Sequence, residues 1–251
     1  LDWAFSKVEE AIILEDDCIP HSSFFSYCEN LLHRYKDDTR VMCINGTNFQ
    51  NGVRRSPFSY HFSRYCSSWG WATWARAWRE YDYELSSWRT FSKSTSFERL
   101  FSNPDETAFW SALFDRMAQN PGSVDTWDHQ WNYACWKAGG LAIEPEVNLI
   151  ENTGFGRDDA THTKSAADAW LPVMNPDGLT HLEHPEKIER CKAGDTYIYD
   201  VVISGKSRRI GGGSGPGKKR TAYDILDLLL PPVIPRALFL LRARFGSPVL
   251  T

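Results

Sequence analysis

The sequence predicts an α/β fold: a mixed sheet carrying helices on its faces, followed by a helical C-terminal tail. Two features predict it. Short continuous apolar runs end abruptly in polar residues, as buried strands do, and between them lie segments whose apolar residues recur at helical spacing. Composition agrees, since 251 residues with 42% hydrophobic and 24% charged are globular proportions, enough for one large domain or two small ones.

The first element is Ala11-Ile12-Ile13-Leu14, a β-branched run ending in Glu15-Asp16-Asp17. It reads as a strand buried on both faces, as in parallel sheets. A helix follows Pro20, because Phe24, Tyr27, Cys28, Leu31, Leu32 and Tyr35 form one stripe, with Ser22 or Ser23 as its cap. Arg40-Val41-Met42-Cys43-Ile44-Asn45 is a second buried strand, closed by the turn pair Asn45-Gly46, so a βαβ unit is expected. Residues 60–65 alternate like an exposed edge strand. Trp69-Gly70-Trp71 then leads into a helix with Trp71, Trp74, Ala75 and Trp78 on one face.

Asn103-Pro104-Asp105-Glu106 is a helix start with proline at N1 and acids in the first turn. Another helix runs from Asp128 to Ala138 and stops at Gly139-Gly140. Two short strands, Leu141 to Ile143 and Val147 to Ile150, precede a polar loop from Asn152 to Thr163. Residues 164–200 read as irregular. The domain is placed at 1–203, a Gly-rich basic linker at 204–220 and an amphipathic helical tail at 221–251.

Lys+Arg 28 against Asp+Glu 32 leaves a formal net charge of -4, so no global basic field exists for nucleic acid, which is not expected as a partner. The six cysteines form no C-x-x-C pair and sit mostly in apolar patterns, the usage of a reducing compartment. With no apolar stretch of membrane-spanning length, a cytoplasmic location is expected, with peripheral contact at the inner membrane face as a possible role of the tail. The start at Leu1, without an initiator Met, suggests a fragment.

Three acids at the end of a buried strand lie where open α/β sheets place their ligands. Oxygen ligands there suit Mg²⁺ or Mn²⁺, which complete their shells with water and substrate phosphate. The plainer reading is that Asp16 and Asp17 cap a turn. Aromatic content of 14% with 11 Trp fits both a packed core and a sugar-binding surface.

The run Ile13-Leu14-Glu15-Asp16-Asp17 with the following Phe24-Phe25 helix, then Trp69-Gly70-Trp71-Ala72-Thr73-Trp74, then Trp127-Asp128-His129-Gln130-Trp131, resembles GT-A nucleotide-sugar transferases. The likeness is to bacterial glycosyltransferase family 2-like proteins and, more distantly, to N-glycan β-1,2-N-acetylglucosaminyltransferases. It covers roughly residues 8–163. It implies a partial GT-A, Rossmann-like fold whose first nucleotide-binding strands precede Leu1, and an inverting transfer from a nucleoside-diphosphate sugar to a saccharide or glycolipid acceptor in bacterial surface-polysaccharide synthesis.

Residue by residue, the resemblance implies Asp17 as metal ligand for Mn²⁺ or Mg²⁺, with Asp16 nearer the sugar or ribose and Glu15 beside them at the donor. It implies Asp128 as catalytic base, in a motif that here reads Asp-His-Gln-Trp; a helix-capping pair with Asp125 is the alternative. In the loop, Arg157 would meet the diphosphate and His162 the metal, unless His162 is simply exposed. Trp74 and Trp78 read as core, Trp69 and Trp71 as the lining of the acceptor pocket. The tail resembles segments that join such domains to a following methyltransferase, a reading preferred over an anchor. A non-catalytic saccharide-binding remnant and a metal-dependent phosphoryl hydrolase are the other functional readings.

Overall fold

The structure is a computed structural model and describes residues 1–155, 172–175 and 177–204, together with the backbone of a strand at 239–241. A short helix α1 (Asp2–Phe5) precedes strand β1 (Glu10–Leu14), a three-residue strand β2 (Cys18–Pro20) and helix α2 (Ser23–Tyr35). Strands β3 (Val41–Asn45), β4 (Tyr60–Ser63) and β5 (Trp71–Trp74) follow, then short helices α3 (Ala75–Trp78), α4 (Trp88–Phe91) and α5 (Thr95–Glu98). Two longer helices, α6 (Pro104–Gln119) and α7 (Asp128–Lys137), lead to strands β6 (Leu141–Pro145) and β7 (Ile150–Asn152). Helix α8 (Lys192–Tyr197) continues into a π-helical segment, Ile198–Ile203, and the tail contributes β8 (Phe239–Leu241).

The protein is mixed α/β. Six strands form one sheet in the order β4-β6-β3-β5-β1-β8, and β2 pairs with β7 in a second ladder. β3 and β6 are parallel, whereas β5 runs antiparallel to both β1 and β3. The expected βαβ unit is therefore modified: β1 and β3 point the same way but are not neighbours, because β5 is inserted between them. As a result the C-terminal ends of β1, β3 and β6 and the N-terminal end of β5 share one edge of the sheet.

Alternation along the strands feeds two cores. Ile12, Leu14, Ala72 and Trp74 face α2, whose predicted stripe Phe24, Tyr27, Cys28, Leu31, Leu32 and Tyr35 is buried throughout. Ala11, Ile13 and Trp71 face α7 through Trp131, Ala134 and Cys135. The other side of α7, with Tyr133 and Trp136, packs on α4, α5, α6 and the π-helical segment. Burial on all sides explains why α7 lacks a polar face: every residue from Asp128 to Trp136 is buried. Some of its buried polar groups are satisfied locally, as where Asn132 exchanges two hydrogen bonds with the Cys66 backbone at 2.8 and 3.1 Å, whereas Oδ2 of Asp128 is not.

Several expectations are corrected. Trp71 to Trp74 is a strand, and only Ala75 to Trp78 is helical. Apolar residues at i and i+3 satisfy a helix, but they also occur in a strand buried on both faces, which β5 is. β4 lies at a sheet edge yet is wholly buried, because the segment 183–191 covers it: Ser59 N–H donates to the Glu183 carbonyl and Cys191 N–H to that of Phe62. The stretch 164–200 is not irregular at its end: residues 192–203 are helical.

The start of α2 is not capped by a serine side chain; the Ser23 N–H donates instead to Nδ1 of His21 at 3.1 Å. The cap of α6 is as expected, with Asn103 accepting from Asp105 N–H behind Pro104 at N1. In the tail, read as helical, the described residues 239–241 are extended and pair antiparallel with Ile12 to Leu14. The rest of the tail and the linker from residue 205 lie outside the described residues. All six cysteines are free. Among the described residues, no helix is long and apolar enough to cross a membrane.

Candidate active site

The acidic triplet leaves β1 at the shared sheet edge and is held as a turn. Cys18 N–H donates back to the Glu15 carbonyl at 3.1 Å, and β2 pairs at once with β7, Cys18 opposite Asn152. The chain after β7 crosses the turn, where the N–H and hydroxyl of Thr153 both donate to the Asp17 carbonyl at 2.8 and 3.1 Å. Gly154 follows, so close that a Cβ would come within 2.3 Å of Asp17 Oδ2. Glycine is needed here for approach, not for backbone angle. A second glycine, Gly70 at φ +60°, lets the chain turn into β5 beneath Ile150.

Asp128 reaches this turn from the other direction. It is the first residue of α7, behind an N-cap, Trp127, that makes no side-chain capping bond. The Thr126 hydroxyl donates to Oδ1 of Asp128, while Oδ2 is buried without a hydrogen-bond partner. The N-cap position is thus Trp127 and not Asp125. The Trp127 indole N–H faces Glu15, and its ring stacks on Trp71 at 5.4 Å and 29°. α7 thus docks on the sheet with its first residue beside the end of β1.

The electrostatics record this convergence. Burial raises the Glu15 carboxyl well above the ordinary range, and the charges of Asp17, Asp128 and Asp16 add to it, against the Trp127 hydrogen bond. Burial also raises Asp17, opposed first by the hydrogen bond from Cys18, with the Asn152 amide nearby. Such acids gain from a cation, which neutralises repulsion that the low-dielectric surroundings amplify. One oxygen each of Glu15 and Asp17 and Sγ of Cys18 lie within 4.8 Å of one another, and Oε2 of Glu15 is buried with no hydrogen-bond partner. The carboxylates fit a hard divalent ion such as Mg²⁺ or Mn²⁺. The Cys18 thiol is held protonated by burial and the neighbouring acids, and donates to Asp17 at 3.5 Å.

Of the other predicted residues, Asp16 is exposed beside the turn. Trp69 and Trp71 are 2% and 0% exposed, which corrects their assignment to an acceptor pocket. Trp71 packs between β1 and α7, and Trp69 is covered by Phe49 and Phe155 at 5.4 and 5.6 Å. Arg157 and His162 lie outside the described residues. Three contributors went unassigned in the sequence: Thr126, Trp127 and Asn152. Trp127 was part of the motif that carries the resemblance but was given no role, and adjacency to Asp128 was the only signal for Thr126. The chain matches no protein-family model and no curated protein.

Proposed function

We propose that the protein is a GT-A-type glycosyltransferase that moves a sugar, with inversion, from a nucleoside-diphosphate donor to a hydroxyl of a saccharide or glycolipid acceptor. The observation that supports this best is the approach of Asp128 to Glu15, far apart in sequence, with Asp17 on the same acidic turn and with Glu15 and Asp128 each holding a buried oxygen with no partner. The order of strand, acids, Gly-Trp and Trp-Asp motifs carries the resemblance to that class.

The division of labour follows from the two acidic groups. Asp17, with Glu15 beside it, would hold Mn²⁺ or Mg²⁺ at the donor, and the bound ion supplies neutralisation of the charge on the departing diphosphate. Asp128 takes the proton of the attacking hydroxyl as its oxygen bonds to the anomeric carbon and the bond to phosphate breaks. Thr126 fixes one carboxylate oxygen for this and leaves the other available. A cytoplasmic site of action belongs to the same proposal.

The experiment is release of nucleoside diphosphate from a panel of UDP-N-acetylglucosamine, UDP-glucose and GDP-mannose, with and without Mn²⁺. Mn²⁺-dependent release from one donor, lost in Asp17→Ala, is the expected result. Release from none overturns the proposal.

A further inference from the structure

We propose that Tyr81 is the positioning residue that sets the Asp128 carboxylate against the acidic end of β1. The proposal rests on reading Asp128 as the base. It starts from a deficit: α7 begins at Asp128 with no side-chain cap on its N-cap residue, and although Thr126 bonds the Asp128 carboxylate and N–H, the backbone that carries both residues still has to be fixed from outside. The Tyr81 hydroxyl does so from outside the helix, donating at 3.2 Å to the carbonyl of Trp127, the same oxygen that accepts the Trp131 N–H at 3.3 Å.

Tyr81 is itself held firmly. Its ring stacks on Trp78 at 4.3 Å and 11°, and Trp78 is anchored by an indole hydrogen bond to Asp2 at 2.7 Å. Trp78 also packs on Trp131 at 5.3 Å, and Glu80 pairs with Lys137 at 3.6 Å. Residues 78–81 therefore run alongside α7 as a splint, touching its first, middle and last turns. Burial, and then the nearby Asp128 charge, raise the Tyr81 phenol, so it remains a donor throughout the working range of a carboxylate base.

A Tyr81→Phe variant removes the hydroxyl and keeps the stack. Loss of one such bond is worth about five- to tenfold. Two readouts are taken on the full chain: amide exchange across residues 126–131, and nucleoside-diphosphate release from the three donors with Mn²⁺. Positioning requires exchange at 126–131 to quicken about fivefold with the melting temperature lowered by no more than about 4 °C, and kcat to fall about five- to tenfold with donor KM within about twofold. Unchanged exchange at 126–131 overturns the proposal, and so does unchanged kcat where release is measurable. If the unaltered protein releases nothing from any donor, the reading of the site fails by that result, and exchange alone decides whether Tyr81 holds Asp128.

Discussion

Thr126 and Asp128 form a pair in which the hydroxyl satisfies one carboxylate oxygen and leaves the other buried without a partner. A buried carboxylate in that state is costly to the fold, and under the proposed function its unpartnered oxygen is the one that would accept the proton. Asp128→Asn keeps the shape and removes the basicity. Transfer should fall about 10²- to 10⁴-fold, while donor KM, measured under the same conditions, stays within about threefold. Equal loss of kcat and donor affinity would assign Asp128 to binding instead.

Gly154 tests the crossing over the acidic turn. A methyl group there would meet Asp17 Oδ2 at 2.3 Å, so Gly154→Ala should push the carboxylate aside. Mn²⁺ affinity, measured by calorimetry, should drop about tenfold or more, with the melting temperature little changed because the crossing is at the surface of the core. An unchanged affinity would separate Asp17 from the metal.

A second set of buried charges serves stability. His61 lies between Glu146, at 2.7 Å, and Glu144, at 3.6 Å, all three buried. Burial works against its charged form, but the two carboxylates outweigh it and raise the ring to about 10 from 6.5. The folded value is the higher one, so this contribution is full below about pH 6.5 and is lost as pH rises through about 10. His61→Gln leaves two buried carboxylates facing each other and should cost about 3–5 kcal/mol at neutral pH. Urea unfolding at about pH 7 and pH 10 should show the difference between variant and unaltered protein shrinking at the higher pH.

Metal binding should carry the opposite pH dependence. Glu15 and Asp17 are both raised above the ordinary carboxylate range, and a cation requires them ionised. Mn²⁺ affinity should therefore rise with pH through the weakly acidic range, by calorimetry at about pH 5.5 and 7.5. A flat profile would mean that these two groups are not the ligands.

The legible parts of the sequence were those with a local signature. Ile12 to Leu14 and Val41 to Ile44 are apolar runs too short for helices, and the α2 stripe is buried as its spacing requires. Asn103-Pro104 marks its helix start by local chemistry alone. Trp71 to Trp74 failed because both faces of β5 are buried, which erases the alternation that separates strand from helix. The insertion of β5 between β1 and β3 is a pairing between distant segments, and β2 and β7 are too short to show a period. At the site, Glu15 and Asp17 declared themselves by ending a strand. Their proximity to Asp128 rests on α7 docking through Trp127 and Trp131 against Trp71, which no spacing in the chain displays.

The most direct test is a Mn²⁺ titration by calorimetry, with UDP or GDP present, comparing the unaltered chain with Asp17→Asn. The expected result is one Mn²⁺ per chain in the unaltered protein and at least about a hundredfold weaker binding in the variant. Binding that is the same in both, or absent from the unaltered chain, would contradict a metal-assisted donor site at the end of β1.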